Sequence, residues 1–283
     1  MPLEIIPSGE ACGADVYGVD LSRPLSDRVV AGIRAAWLTH HVLAFPDQVL
    51  TDDDLERFTL YFGPFGADPF IAPIEGRKHI IEVKRRADET GPVFAESWHT
   101  DWSFLETPPA GTCLYSIRIP PVGGDTLFAN QHLALEKMPA ELRSKIEGKT
   151  AAHSARLVYT PHGIYGEADR ATRSMDIRPS EAASATQLHP VIRAHSETGR
   201  EAIYGCIGYI VEIAGMSAPE SMALLGELYL WQTREEFRHR RKWRENMLVM
   251  WDNRSVLHMA TGGYSGYERL LHRTTVGERP VSE

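Results

Sequence analysis

Residues 97–130 read SWHTDWSFLETPPAGTCLYSIRIPPVGGDTLFAN, and the parsing of this stretch decides the fold. WHTDWSF and GTCLYSIRI carry the aromatic and β-branched runs of strands, and a Pro-Pro-Val-Gly-Gly-Asp turn leads into a third, TLFAN. The C-terminal third repeats the theme in HPVIRAH, EAIYGC, NMLVMWD and ERLLHRTTV. Toward the N-terminus, residues 3–6 and 42–45 also read as strands. Residues 26–40 instead place Val29, Val30, Ile33, Ala36 and Trp37 on one helix face. Thr51 with Asp54, and Ser217 with Glu220, have the form of capping boxes that open two more helices. A further helical stretch, 131–146, is interrupted at Pro139.

Short strands with Gly and Pro turns, and few βα alternations, predict a mainly β fold with flanking helices. The expected architecture is a double-stranded β-helix, a jelly-roll or cupin-like barrel, with residues 1–283 forming a single domain. The weakly periodic stretches 67–96 and 155–187 are long for a compact domain and are candidate lids over the barrel mouth.

With 30 Lys+Arg against 38 Asp+Glu, the formal charge of -8 argues against a nucleic-acid partner. The basic cluster at 234–244, REEFRHRRKWR, also holds acids and aromatics, and reads as a solvated face or subunit contact before it reads as an anion-binding lid. Cys12, Cys113 and Cys206 are widely spaced without a CxxC pair, which gives neither a disulfide framework nor a zinc ribbon. No apolar run is long enough to span a bilayer and no secretory start is present, so the expectation is a cytoplasmic protein with no membrane partner.

His99-Thr100-Asp101 falls in a predicted strand, where alternate side chains share a face, so His99 and Asp101 point the same way. His258 follows the apolar strand of MLVMWDNRSVLHMA. Two imidazoles and one carboxylate on one face of iron(II) leave open positions for a chelating co-substrate and O2. The same donors tolerate zinc, which keeps a hydrolase open. Arg269, Leu271 and Arg273 share one face of a further predicted strand. If that face is the barrel interior, two guanidiniums are buried beside the metal, a costly arrangement unless anions pair with them. No excess of acids near the motifs offers an internal match, so anionic ligands are the expected partners.

His99-Thr100-Asp101, Gly123-Gly124-Asp125-Thr126, Trp251-Asp252-Asn253-Arg254 leading to His258, and Arg269 beyond it together resemble the TauD/TfdA family of 2-oxoglutarate dioxygenases. Order and spacing match over nearly the whole chain. The resemblance implies that His99, Asp101 and His258 ligate Fe(II), and that Arg269 and Thr126 hold the distal carboxylate of 2-oxoglutarate. It also implies that Arg273 binds the acidic group of a small anionic organic substrate. The implied reaction consumes O2 and 2-oxoglutarate, releases succinate and CO2, and hydroxylates the substrate. Retention of Asp101 favours hydroxylation over the halogenation of relatives that lack this carboxylate. Family members are often dimers or tetramers, so a homo-oligomer is expected. A catalytically silent cupin-like binding or sensing protein remains the alternative from another class.

The departures bear on substrate. Taurine enzymes carry an asparagine just ahead of the HxD and a histidine on the preceding lid segment. Here residues 94–98 hold no asparagine and the lid reads Asp68-Pro69-Phe70-Ile71. That speaks against taurine. Phe70, Ile71 and Tyr159 point to a bulkier acid, an aryloxyalkanoate or an alkyl sulfate or sulfonate, unless they only pack beneath the loop. The remaining histidines, among them His132, His153, His189, His195, His239 and His272, outnumber any single site and are read as surface or core residues.

Overall fold

Four consecutive apolar residues, VLAF, form a strand buried along its whole length, and they show how the layers are built. Val42 and Ala44 belong to one hydrophobic cluster and Leu43 and Phe45 to another, the alternation of a strand covered on both faces. The computed structural model describes residues 2–279 of the chain. Its strands are β1 (Glu4–Pro7), β2 (Ala14–Tyr17), β3 (Val42–Phe45), β4 (Ile81–Arg85), β5 (Gly111–Arg118), β6 (Thr126–Asn130) and β7 (Thr150–Ser154). There follow β8 (Thr186–Pro190), β9 (Ile192–Ala194), β10 (Glu201–Ile203), β11 (Ile210–Ile213) and β12 (Arg238–Arg241), then β13 (Leu248–Asp252), β14 (Val256–Ala260) and β15 (Arg269–Val276).

The large sheet runs β1-β2-β3-β13-β5-β15-β4, antiparallel except between β2 and β3. Its outer face packs on helices Asp27–His40 and Asp52–Leu60 through Trp37, Leu55 and Phe58. The inner face meets a second layer, β12-β6-β14, across a core of Val42, Leu114, Val249 and Leu271 on one side and Phe128 and Val256 on the other. Removing each such side chain from water contributes roughly 1.5–3 kcal/mol before the entropy cost of ordering it. Two facing antiparallel sheets joined in this way form the jelly roll. The helices Gln131–Glu136, Ala140–Ile146 and Ala218–Gln232 pack with β7, β10 and β11 around a separate core.

The capping boxes at Thr51/Asp54 and Ser217/Glu220 are both present. Pro139 separates the two short helices as expected. The expected lids, 67–96 and 155–187, meet each other. The Ala72 amide donates to the Asp176 carbonyl and the Arg178 amide to the Phe70 carbonyl, while Ile71 bridges Ile177. The first lid also contains β4, the edge strand of the large sheet. Among the described residues no helix is long and apolar enough to cross a membrane.

One strand assignment is corrected. WHTDWSF is not a strand: only His99 pairs, as an isolated bridge to His258, and residues 101–104 form a turn in which Trp102 takes a left-handed φ of 49°. Side-chain bonds replace the ladder there, Thr100 Oγ1 donating to the Asn253 carbonyl and Trp102 Nε1 to Asp68. The alternating aromatics mimic a strand, but Trp102 and Phe104 are buried in the cluster beneath the lids. His258 follows the apolar strand as expected. It lies in the middle of β14, which follows β13 through the short turn at 253–255.

Candidate metal centre

The bridge between His99 and His258 brings two imidazoles from different ends of the chain side by side, with the His99 amide 3.0 Å from the His258 carbonyl and the reverse bond at 2.7 Å. The turn then swings Asp101 between them. Asp101 Oδ1 lies 3.6 Å from His99 Nε2 and 3.7 Å from His258 Nε2. Each of the three offers one ligand atom, all within 4.8 Å of one another. His99 and Asp101 thus share a site as expected, although a turn and not a strand face aims them.

Outer contacts fix the donors. His99 Nδ1–H donates to the Ser97 carbonyl at 2.8 Å, which leaves the Nε2 lone pair free. Thr112 Oγ1 donates to Asp101 Oδ2 at 2.6 Å and accepts from Asn253 Nδ2 at 3.0 Å. Asn253 Oδ1 in turn accepts from Trp251 Nε1 at 2.9 Å. Burial, with His99 beside it, pushes the His258 imidazole down to about 3, so it is neutral and its lone pair is available. Burial alone would raise the Asp101 carboxyl, but His258, Arg273 and His99 hold it well below the usual carboxylate range. Two buried imidazoles, His99 oriented through Nδ1 and His258 with no partner at its Nδ1 among the described residues, and an ionised carboxylate make a donor set that fits a divalent iron.

Arg269 and Arg273 occupy one face of β15 and are both buried, as expected. Their surroundings differ. The Nη2 of Arg269 reaches only the Gly124 carbonyl, at 3.4 Å, and its Nε has no partner among the described residues. Burial draws its pKa down, with Tyr264 and Asp125 partly offsetting. Gly124 has φ 70°, and a Cβ there would come within 3.4 Å of Arg269 Nε. The Gly-Gly turn therefore leaves room for the guanidinium. Thr126 Oγ1 accepts from Trp243 Nε1 at 3.0 Å, which turns its own hydroxyl proton toward other acceptors. Thr126, Arg269, His99 and His258 line one small cavity. A buried guanidinium without a carboxylate, facing metal-type donors, fits a dicarboxylate that chelates a metal.

The expectation that no internal acid matches the arginines is overturned at Arg273. Its Nη2 is bonded to Asp68 and its Nη1 lies 3.6 Å from Asp101. Against the effect of burial, Asp68 and Asp101 raise its pKa above the ordinary arginine value. Arg273 reaches the first cavity and also lines a second, adjoining one with Asp101, Trp102, Tyr159, Tyr165 and Tyr209. Of the lid residues Phe70, Ile71 and Tyr159, only Tyr159 reaches this cavity. Phe70 stacks behind it at 5.1 Å between ring centroids.

Sequence reasoning missed several members of the site. Trp243 sits inside the basic cluster, two of whose arginines form the internal pairs Arg240–Asp125 and Arg241–Asp15. A Trp amid charged residues is the signal the sequence offers. Tyr165 and Tyr209, and Asp68 as an arginine partner, gave no local pattern. Asp252, matched only as part of a motif, is a buried carboxylate that accepts from Arg254 and bonds His195 at 2.9 Å, fixing the turn that carries Asn253. His272 bonds Asp52 and lies away from the centre, as expected.

Comparison with known proteins gives concordant results. The family described as "Taurine catabolism dioxygenase TauD, TfdA family" matches residues 4–275. An alpha-ketoglutarate-dependent sulfate ester dioxygenase of Pseudomonas putida is 31% identical, the match covering 99% of this chain and 92% of that protein. An (S)-phenoxypropionate/alpha-ketoglutarate-dioxygenase of Delftia acidovorans is 32% identical, covering 99% and 97%. The crystal structure of a taurine dioxygenase from Burkholderia xenovorans superposes with a TM-score of 0.80 at 31% identity, covering 98% of this chain and 91% of that one.

Proposed function

The chain belongs to the TauD/TfdA family of 2-oxoglutarate-dependent dioxygenases, and from that premise we propose that His99, Asp101 and His258 hold one Fe(II) while Arg269 and Thr126 hold the distal carboxylate of 2-oxoglutarate. The prime substrate is a small organic acid of the sulfonate, sulfate ester or aryloxyalkanoate type, its acidic group met by Arg273. The observation that carries this reading is Arg269: a buried cation without a carboxylate partner, in the same cavity as His99 and His258.

When bound, the iron supplies the O2 chemistry that oxidises 2-oxoglutarate to succinate and CO2 and hydroxylates a substrate C–H bond. The residues supply position. Arg269 fixes the far carboxylate, so that the 2-oxo acid end lies toward His99 and His258. Thr126 adds a neutral hydrogen bond. Tyr159 and Tyr209, kept protonated by burial, line the substrate cavity as donors and as an aromatic wall beside Trp102. Phe94, Ala95, His99 and Arg273 line both cavities, which therefore adjoin.

The zinc-hydrolase reading leaves Arg269 without a purpose, and a silent binding protein leaves the oriented donors without one. Succinate formation from 2-oxoglutarate, measured with iron(II) and with zinc in turn, tests the proposal. Substrate-dependent succinate with iron alone is expected, and its absence across sulfonates, alkyl sulfates and aryloxy acids would refute it.

A further inference from the structure

Arg273 is charge-compensated by the protein itself, which limits how it can grip an acid. Its Nη2 donates to Asp68 Oδ1, its Nη1 lies 3.6 Å from Asp101 Oδ1, and its guanidinium sits 5.0 Å from the centroid of the Trp102 ring. Its Nε is buried and has no hydrogen-bond partner among the described residues. Asp68 is held firmly in place. Trp102 Nε1 donates to its Oδ1 at 3.0 Å and Thr275 Oγ1 to its Oδ2 at 3.3 Å.

Arginine binds carboxylates and sulfo groups most strongly through two parallel N–H bonds. Nη2 is bonded to Asp68 and Nη1 faces Asp101 at 3.6 Å, so an incoming acid must share the guanidinium with two resident carboxylates. It also meets the repulsion of Asp68, little screened in a buried site. We propose that Asp68 is a specificity-determining residue, a resident carboxylate that competes with the acidic group of the substrate for Arg273. This rests on the reading of Arg273 as the acid-binding residue. The consequence is selection by the organic tail. Acids that also fill the wall of Trp102, Tyr159, Tyr165 and Tyr209 bind, whereas small acids that depend on charge alone are rejected.

Asp68→Asn removes the charge and keeps an amide oxygen for the Trp102 indole. Binding of hexyl sulfate, 2-phenoxypropionate and ethanesulfonate is measured by titration calorimetry on protein loaded with iron(II) and 2-oxoglutarate under anaerobic conditions. Asp68→Asn is expected to tighten all three by about tenfold or more, most of all ethanesulfonate, with 2-oxoglutarate affinity unchanged. The gain should vanish when Arg273→Gln is added. Equal or weaker binding by Asp68→Asn would overturn the proposal. Should Asp68→Asn prove unstable, ethanesulfonate should raise its thermal midpoint more than that of wild type, and no differential rise would equally overturn it. The Arg273 single variant separates the two levels of the argument. If Arg273→Gln leaves wild-type hexyl sulfate affinity intact, the acid-binding reading itself has failed. If it weakens binding while Asp68→Asn does not tighten it, only the competitor role has failed.

Discussion

The two ends of one strand face make opposite use of the same residue. Arg269 and Arg273 are four positions apart on β15, roughly 13 Å at the usual rise per residue, and each is almost wholly withdrawn from water. Arg273 is bonded to Asp68 and near Asp101, whereas Arg269 reaches one long contact to a backbone carbonyl. Burying a guanidinium without an anion is costly, so a protein that tolerates it at one end and avoids it at the other is keeping the first for a ligand. On the proposed reading, the lone cation takes the anion that must always come from outside, the co-substrate. On the same reading, the paired one serves a partner that varies.

The largest effect bears on both ends, since neither cavity has a purpose without the centre between them. His99→Ala, Asp101→Ala and His258→Ala should each abolish the weak visible charge-transfer band that iron(II) and 2-oxoglutarate give under anaerobic conditions, together with succinate formation. A band of wild-type strength in any variant removes that residue from the ligand set.

A sharper contrast concerns stability. Arg273→Ala leaves Asp68 and Asp101 buried without their cation and should cost about 3–5 kcal/mol in urea unfolding of the metal-free protein. Arg269→Met removes an uncompensated buried charge and should be neutral or stabilising under the same conditions. Equal losses from the two variants would erase the distinction between the ends.

The smallest effect is at Thr126. Thr126→Ala deletes one neutral donor and should weaken 2-oxoglutarate by about 1 kcal/mol, several-fold in the dissociation constant. A loss as large as that from truncating Arg269 would show the roles to be misassigned.

Much of this arrangement is legible in the chain because it depends on period and spacing. The period of two in ERLLHRTTV places Arg269 and Arg273 on one face whatever the surroundings, and VLAF announces a strand covered on both sides. Capping boxes are local, and both appear where Thr51 and Ser217 put them. What the sequence hides depends on distant partners. Asp68 meets Arg273 across 205 positions, and Trp243 meets Thr126 across 117, with no local pattern to betray either contact. The turn at 101–104 was misread for a related reason. Trp102 is held in left-handed backbone by tertiary bonds, and its aromatic neighbours supply the propensity of a strand without the ladder.

The most direct test of the account is an anaerobic titration of 2-oxoglutarate into the iron(II) forms of Arg269→Gln and Arg273→Gln, followed through the charge-transfer band. Arg269→Gln should lose about two to three decades of affinity, the cost of a charge-assisted pair in a desolvated pocket. Arg273→Gln should titrate as wild type does. The reverse pattern, with Arg273→Gln weakened and Arg269→Gln intact, would contradict the claim that the unpaired arginine is the one kept for the co-substrate.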